Sequence, residues 1–216
     1  MRITHNLLGF LASLCFFSMA SAQSLLLTPE SVSATGQFDN NINLLFDLDV
    51  PDRGTEFDMA SNVFWQGNAT QFTFDYGDQT TVSNLLIAAD NNDSYLVEYS
   101  TDGVNYFDLF EFLVDDGPRP PVGIDGGGLD ILTTDASFPE DPAASDPFTP
   151  AFVGRTFTEV NAQFLRVSAT GGDGLNAIGE FQAFTSVPEP VVFPLAVALL
   201  GGSLLTRRRS TSCMSL

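Results

Sequence analysis

An all-β sandwich is predicted for residues 23–186, and three observations predict it. Apolar residues, rich in Phe (20 in the chain) and in Val, Leu and Ile, fall in short alternating runs. Gly, Asn and Asp break these runs at the close spacing of sandwiches and barrels. No part of the body carries a long helical period.

Taken in order, residues 71–76 alternate polar and aromatic side chains, which directs Phe72 and Phe74 to one face and into a core. Gly77-Asp78 follows as a turn, and residues 81–87 read as the next strand. Asn91-Asn92-Asp93 makes a turn before a strand in which Tyr95, Val97 and Tyr99 alternate with Leu96 and Glu98. Ser100-Thr101-Asp102-Gly103 is a hairpin signal, with residues 106–113 as the return strand. Residues 115–150 are crowded with Pro, Gly and Asp. They read as a long loop at one end of the sandwich, with one short strand at 129–132. Residues 164–168 and 179–184 close the domain. Arg166, on the first of these, is expected to pair with a carboxylate, and Glu180 on the second is a candidate.

The ends differ from the body. Arg2, an apolar run over residues 7–19 and the small residues of Ala20-Ser21-Ala22 form a secretory signal over residues 1–22, cleaved by signal peptidase before Gln23. Its helix is shorter than the roughly 20 residues of a membrane span. At the other end, Val187-Pro188-Glu189-Pro190 leads into an apolar stretch over residues 191–206, closed by Arg207-Arg208-Arg209. As a helix this stretch would be about 24 Å long, short for a ~30 Å hydrocarbon core. The arginines hold its end on the cytoplasmic side.

Charge and residue usage exclude several chemistries. All eight basic residues are arginines, and four of them (Arg53, Arg119, Arg155 and Arg166) lie in the body. Of the 27 acidic residues only Glu189 lies beyond Val187, so the body carries 26 acids against 4 arginines, a net charge of −22. Such a surface repels nucleic acid and anionic lipid. His5, Cys15 and Cys213 all lie outside the body. Ser-His-Asp and Cys-His catalysis, disulfides and zinc sites built on His or Cys are thereby excluded there.

The C-terminal motif, apolar stretch and arginine cluster of residues 187–216 resemble PEP-CTERM sorting tags. That resemblance implies recognition by an exosortase-type membrane transpeptidase, a transient inner-membrane anchor, and delivery to the cell envelope, outer surface or extracellular matrix. The body has its own resemblance. Residues 72–77, 95–106, 164–167 and 178–184 occur in an order similar to the discoidin (coagulation factor 5/8 type C) family of galactose-binding-like jelly rolls. The resemblance implies a jelly-roll β-sandwich, flanked here by a signal helix and a C-terminal hydrophobic helix. It also implies a structural calcium between an early acidic loop and the closing-strand glutamate. The corresponding residues are Asp47, Asp49, Asp52 and Glu180, all oxygen donors of the kind calcium takes. Trp65, beside Phe64 and among Asn62 and Gln66, is a candidate sugar-stacking platform, ordinary core packing being its alternative.

These readings predict an exported, non-enzymatic surface or matrix protein whose sandwich contacts glycan or exopolysaccharide. A purely structural or adhesive matrix protein is the alternative. A carboxylate-based glycosidase or lyase would need two acids at a defined separation in a cleft.

Overall fold

The computed structural model describes residues 23–114, 116, 128–140 and 148–187. They fall within one compact unit, Gln23–Val187. Ala20 and Ala22 of the expected signal, Pro188, Glu189 and Pro190 of the expected sorting motif, the two helices expected at the ends and Arg207-Arg208-Arg209 lie outside the described residues. Among the described residues no helix is long and apolar enough to cross a membrane.

The described residues of the unit form eleven strands and one short 3-10 helix (Ile42–Leu45): β1 (Gln23–Leu27), β2 (Ser31–Thr35), β3 (Val63–Gln66), β4 (Gln71–Val82), β5 (Asn84–Asp90), β6 (Ser94–Ser100), β7 (Phe107–Phe112), β8 (Leu129–Thr133), β9 (Ala151–Phe152), β10 (Val160–Gly171) and β11 (Leu175–Val187). One sheet has the order β1-β11-β5-β8-β9, with β3 also on β11; the other has the order β2-β4-β10-β6-β7. Among the described residues only β8 and β9 pair in parallel. The chain passes from one sheet to the other at nearly every connection, which wraps two sheets around one core and gives the predicted all-β sandwich. Phe72, Phe74, Leu85, Ile87, Val97, Leu165, Val167 and Phe181 fill that core.

The outer face of the first sheet is also covered. Leu86, Ala88, Leu129, Ile131 and Ala177 form a second cluster against Val50, Phe57 and Phe64. Gly54 N–H donates to the Leu129 carbonyl (2.7 Å) and Leu129 N–H to the Thr55 carbonyl (2.9 Å), so the segment after the 3-10 helix runs beside β8. Doubly covered strands lose their polar face, and β8 is buried at all five positions.

Four expectations are corrected here. Gly77-Asp78 does not separate two strands, because β4 runs through it. Residues 76–79 bulge between the pairs Ala162–Thr80 and Phe164–Asp75. Gly77, at φ +75°, leaves room for the Glu30 carboxylate that a side chain would occupy. The strand expected over 81–87 is cut at Ser83, whose N–H and hydroxyl both donate to the Phe184 carbonyl. Val82 and Asn84 thus belong to different sheets. The segment 129–132 is a central strand between β5 and β9, not part of an excursion. Finally, Arg166 pairs with Glu98 on the neighbouring β6 through two 2.7 Å hydrogen bonds. Glu180 lies on the opposite sheet.

Candidate functional site

Strand β11 has β5 along one edge. Its other edge is divided: β3 covers Leu175 to Ile178 and β1 covers Ala183 to Val187. The residues between have no strand neighbour on that side. A register shift at Gly179 falls here, and the acidic loop after the 3-10 helix fills the opening. Pro51 packs so closely on Gly179 that a Cβ would strike it, and a Cβ would also come 2.9 Å from Leu129 Cδ2.

Glu180 points into this opening. It is fully buried. Its Oε1 accepts from Gln182 Nε2 at 3.1 Å, and its Oε2 has no partner. Burial pushes its carboxyl up to about 7, Asp47 and Asp49 push the same way, and Gln182 and the nearby Leu48 amide oppose them. Leu48 takes a left-handed φ of 71°, and Asp49 N–H donates to Asp47 Oδ1 at 3.0 Å. The loop is thus folded so that both of its carboxylates act on Glu180. A small cavity of about 50 Å³ beside it is lined by Leu26, Thr28, Phe46, Leu48 and Gln182. An orphaned buried oxygen facing two further carboxylates fits a hard cation held by oxygen donors, so calcium fits this residue set. Asp52 joins them only in sequence: its carbonyl accepts from Thr55 N–H and Oγ1 in a turn. Among the described residues, no three acidic, His or Cys side chains already converge tightly enough to enclose a metal by themselves. Backbone carbonyls would have to complete the coordination.

Trp65 is core. It is 3% exposed and meets Phe72 and Tyr95 edge-on at 5.1 and 6.2 Å between ring centroids. It has no free face for a sugar, which corrects its candidacy as a stacking platform. It also lines, with Gly36, Gln37, Phe38, Asp39 and Gln66, an open cleft of about 570 Å³. Gln37, Asp39 and Gln66 are exposed there. The cleft lies where β2 ends, β3 ends and β11 begins, the end of the sandwich opposite Gln23 and Val187. Sequence reasoning missed Gln37 and Asp39, because an exposed polar pair beside a turn carries no signal before β2 and β3 are placed side by side.

The class defined by this architecture is an antiparallel two-sheet β-sandwich with a polar cleft at one end and an acidic loop against its closing strand. No family model and no curated protein matches the sequence. Solved structures of similar outline include the CBM32 of AlyQ in complex with 4,5-unsaturated mannuronic acid, at 14% identity and TM-score 0.49, covering 74% of this chain and 98% of that one. A pectin-binding carbohydrate binding module is 18% identical at TM-score 0.43, covering 79% of this chain and 95% of that one. Chitosan-binding module 1 from a chitosanase/glucanase of Paenibacillus sp. IK-5 is 17% identical at TM-score 0.38, with 74% and 97% covered. Likeness at these values transfers neither a ligand nor a residue's role.

Proposed function

We propose that this chain is a non-enzymatic, exported surface or matrix protein that binds glycan in the cleft at the end of its sandwich. The observation that carries the reading is the cleft itself. Its volume of about 570 Å³ suits a short saccharide segment. Gln37 and Gln66 offer amide donors and acceptors for sugar hydroxyls, and Asp39 adds an acceptor. Export and sorting rest on the order of the terminal segments in the sequence, with signal peptidase and an exosortase-type transpeptidase as processing partners. Calcium at Asp47, Asp49 and Glu180 would brace the loop over β11 and serve structure only.

A glycan array of the full-length protein, read with calcium and with chelator, tests the binding. Expected is saturable binding to at least one acidic or neutral polysaccharide, reduced at least tenfold by Gln37→Ala with Gln66→Ala. Absence of binding to every polysaccharide, the producing cell's own included, removes the glycan reading and leaves the adhesive matrix protein. Cell fractionation after replacing Pro188-Glu189-Pro190 with alanines tests sorting, with retention of the protein in the inner membrane as the expected result.

A further inference from the structure

At the cleft end of the sandwich, the β5–β6 turn and the β10–β11 turn bring three aspartates near one another, though not yet close enough to enclose an ion by themselves. Asp90 ends β5, Asp93 precedes β6, and Asp173 lies in the turn between β10 and β11. Asp90 and Asp93 are each 2% exposed, and none of their four carboxylate oxygens has a hydrogen-bond partner. The amides of Asn91 and Asn92 lie near Asp90, and those of Asp173 and Gly174 near Asp93. None closes a bond of ordinary geometry. Asn92 donates to Asp173 Oδ2 at 3.2 Å, while its own buried Oδ1 is unpartnered. Gly172, at φ +119°, is shaped around the pair: a Cβ there would collide with the Asp93 carboxylate and approach the Asn92 carbonyl at 2.8 Å.

Among the described residues no arginine pairs with these carboxylates. The three described arginines are committed elsewhere, Arg53 to Asp130, Arg155 to Asp116 and Arg166 to Glu98. Two buried carboxylates side by side cannot both stay ionised without a counter-charge. Every open donor is oxygen: carboxylate, amide carbonyl and backbone carbonyl. That is the donor set of a hard divalent ion, which takes six to eight oxygens on flexible turns. We propose that Asp90, Asp93 and Asp173, with the Asn92 side-chain carbonyl, form a calcium site separate from the one at Glu180, stapling the two turns that connect the sheets. Asp90 and Asp93 are the floor of the site and exposed Asp173 is its solvent-facing rim. The site adjoins the cleft through Gly67 N–H, which donates to the Gly174 carbonyl at 2.8 Å. Its existence does not depend on glycan binding.

Terbium luminescence is the test, because Tyr95 senses both floor carboxylates and Trp65 lies 6.2 Å from it, so both can sensitise a bound lanthanide. Full-length protein carrying Glu180→Gln, which disables the other site, is stripped with chelator and titrated with terbium. Expected is one equivalent of Tyr- and Trp-sensitised emission, displaced by calcium. It is abolished by adding Asp93→Asn and weakened on the order of tenfold by Asp173→Asn, a surface change that leaves folding intact. No sensitised emission in the Glu180→Gln protein overturns the proposal. So does emission that survives both aspartate changes undiminished.

Discussion

Arg166 holds two partners at once. Its guanidinium forks onto both Glu98 oxygens at 2.7 Å, and its carbon centre lies 3.8 Å above the Tyr106 ring. The pair joins β10 to β6 on the outward face of the second sheet, where both side chains are only partly exposed. Arg166→Ala removes the fork and the stack and strands Glu98, so it should destabilise by about 1–3 kcal/mol in urea unfolding. Tyr95 is tied more deeply. Its fully buried hydroxyl donates to the Ala177 carbonyl at 3.0 Å and accepts from the Ala177 N–H at 3.2 Å, linking β6 of one sheet to β11 of the other. Tyr95→Phe leaves two buried backbone groups unmet, at a cost of about 1–3 kcal/mol in the same measurement. At this scale the sequence was only partly legible. Asp47, Asp49 and Glu180 were singled out because their order resembled a family pattern, and the fold sets both loop carboxylates near enough to act on Glu180. Asp93 read as part of an ordinary Asn91-Asn92-Asp93 turn and Asp90 was not singled out, since no local pattern reports that a turn will be buried under another.

The strands show which signals survive folding. Residues 71–76 and 95–98 alternate because one face of each meets the core and the other faces outward; the second strand was predicted within a residue, and the first in its opening half, since β4 continues to Val82. The hairpin at Asp102-Gly103 was legible for a local reason. Asp102 Oδ1 accepts from the amides of Val104 and Asn105, which with the Asn105 side chain hold its carboxyl well below the usual range, and Gly103 takes φ +71°. The cut at Ser83 was not legible, because its cause is a distant carbonyl on Phe184. Strands β1, β2 and β3 escaped for a related reason: they are short edge pieces whose burial is set by partners over 35 residues away, at 183–187, 71–75 and 175–178. Gly179 belongs to this scale too, since its bare Cα lets the acidic loop reach β11. Gly179→Ala should displace Pro51 and Leu129, destabilise by about 1–3 kcal/mol, and weaken calcium binding measured by calorimetry.

For the molecule as a whole, buried acid and excess negative charge set the response to solution. Burial raises Asp90 and Asp93 from 3.8, and Glu180 from 4.5, to about 7 in each case. The folded state therefore keeps protons that the unfolded chain releases between about pH 4 and 7. Without divalent ions, the stability these groups contribute is complete below about pH 4 and is lost as pH rises through 7. Thermal unfolding in chelator should give a higher midpoint at pH 5 than at pH 8. Calcium should raise the midpoint by several degrees at pH 8 and little at pH 5, since metal and proton compete for the same oxygens. Salt should also raise the midpoint at pH 8, because screening relieves the repulsion of a body carrying −22.

The pairing of β1 with β11 governs how the domain bears load. Gln23 sits opposite Val187 at the end of an antiparallel pair, so tension applied between these two residues peels that pair open one rung at a time. Tension between Val187 and something gripped at the distant cleft runs lengthwise along β11 instead, and the hydrogen bonds to β5 and β1 resist it together in shear. The same fold is a weak seam in the first direction and a stiff strut in the second.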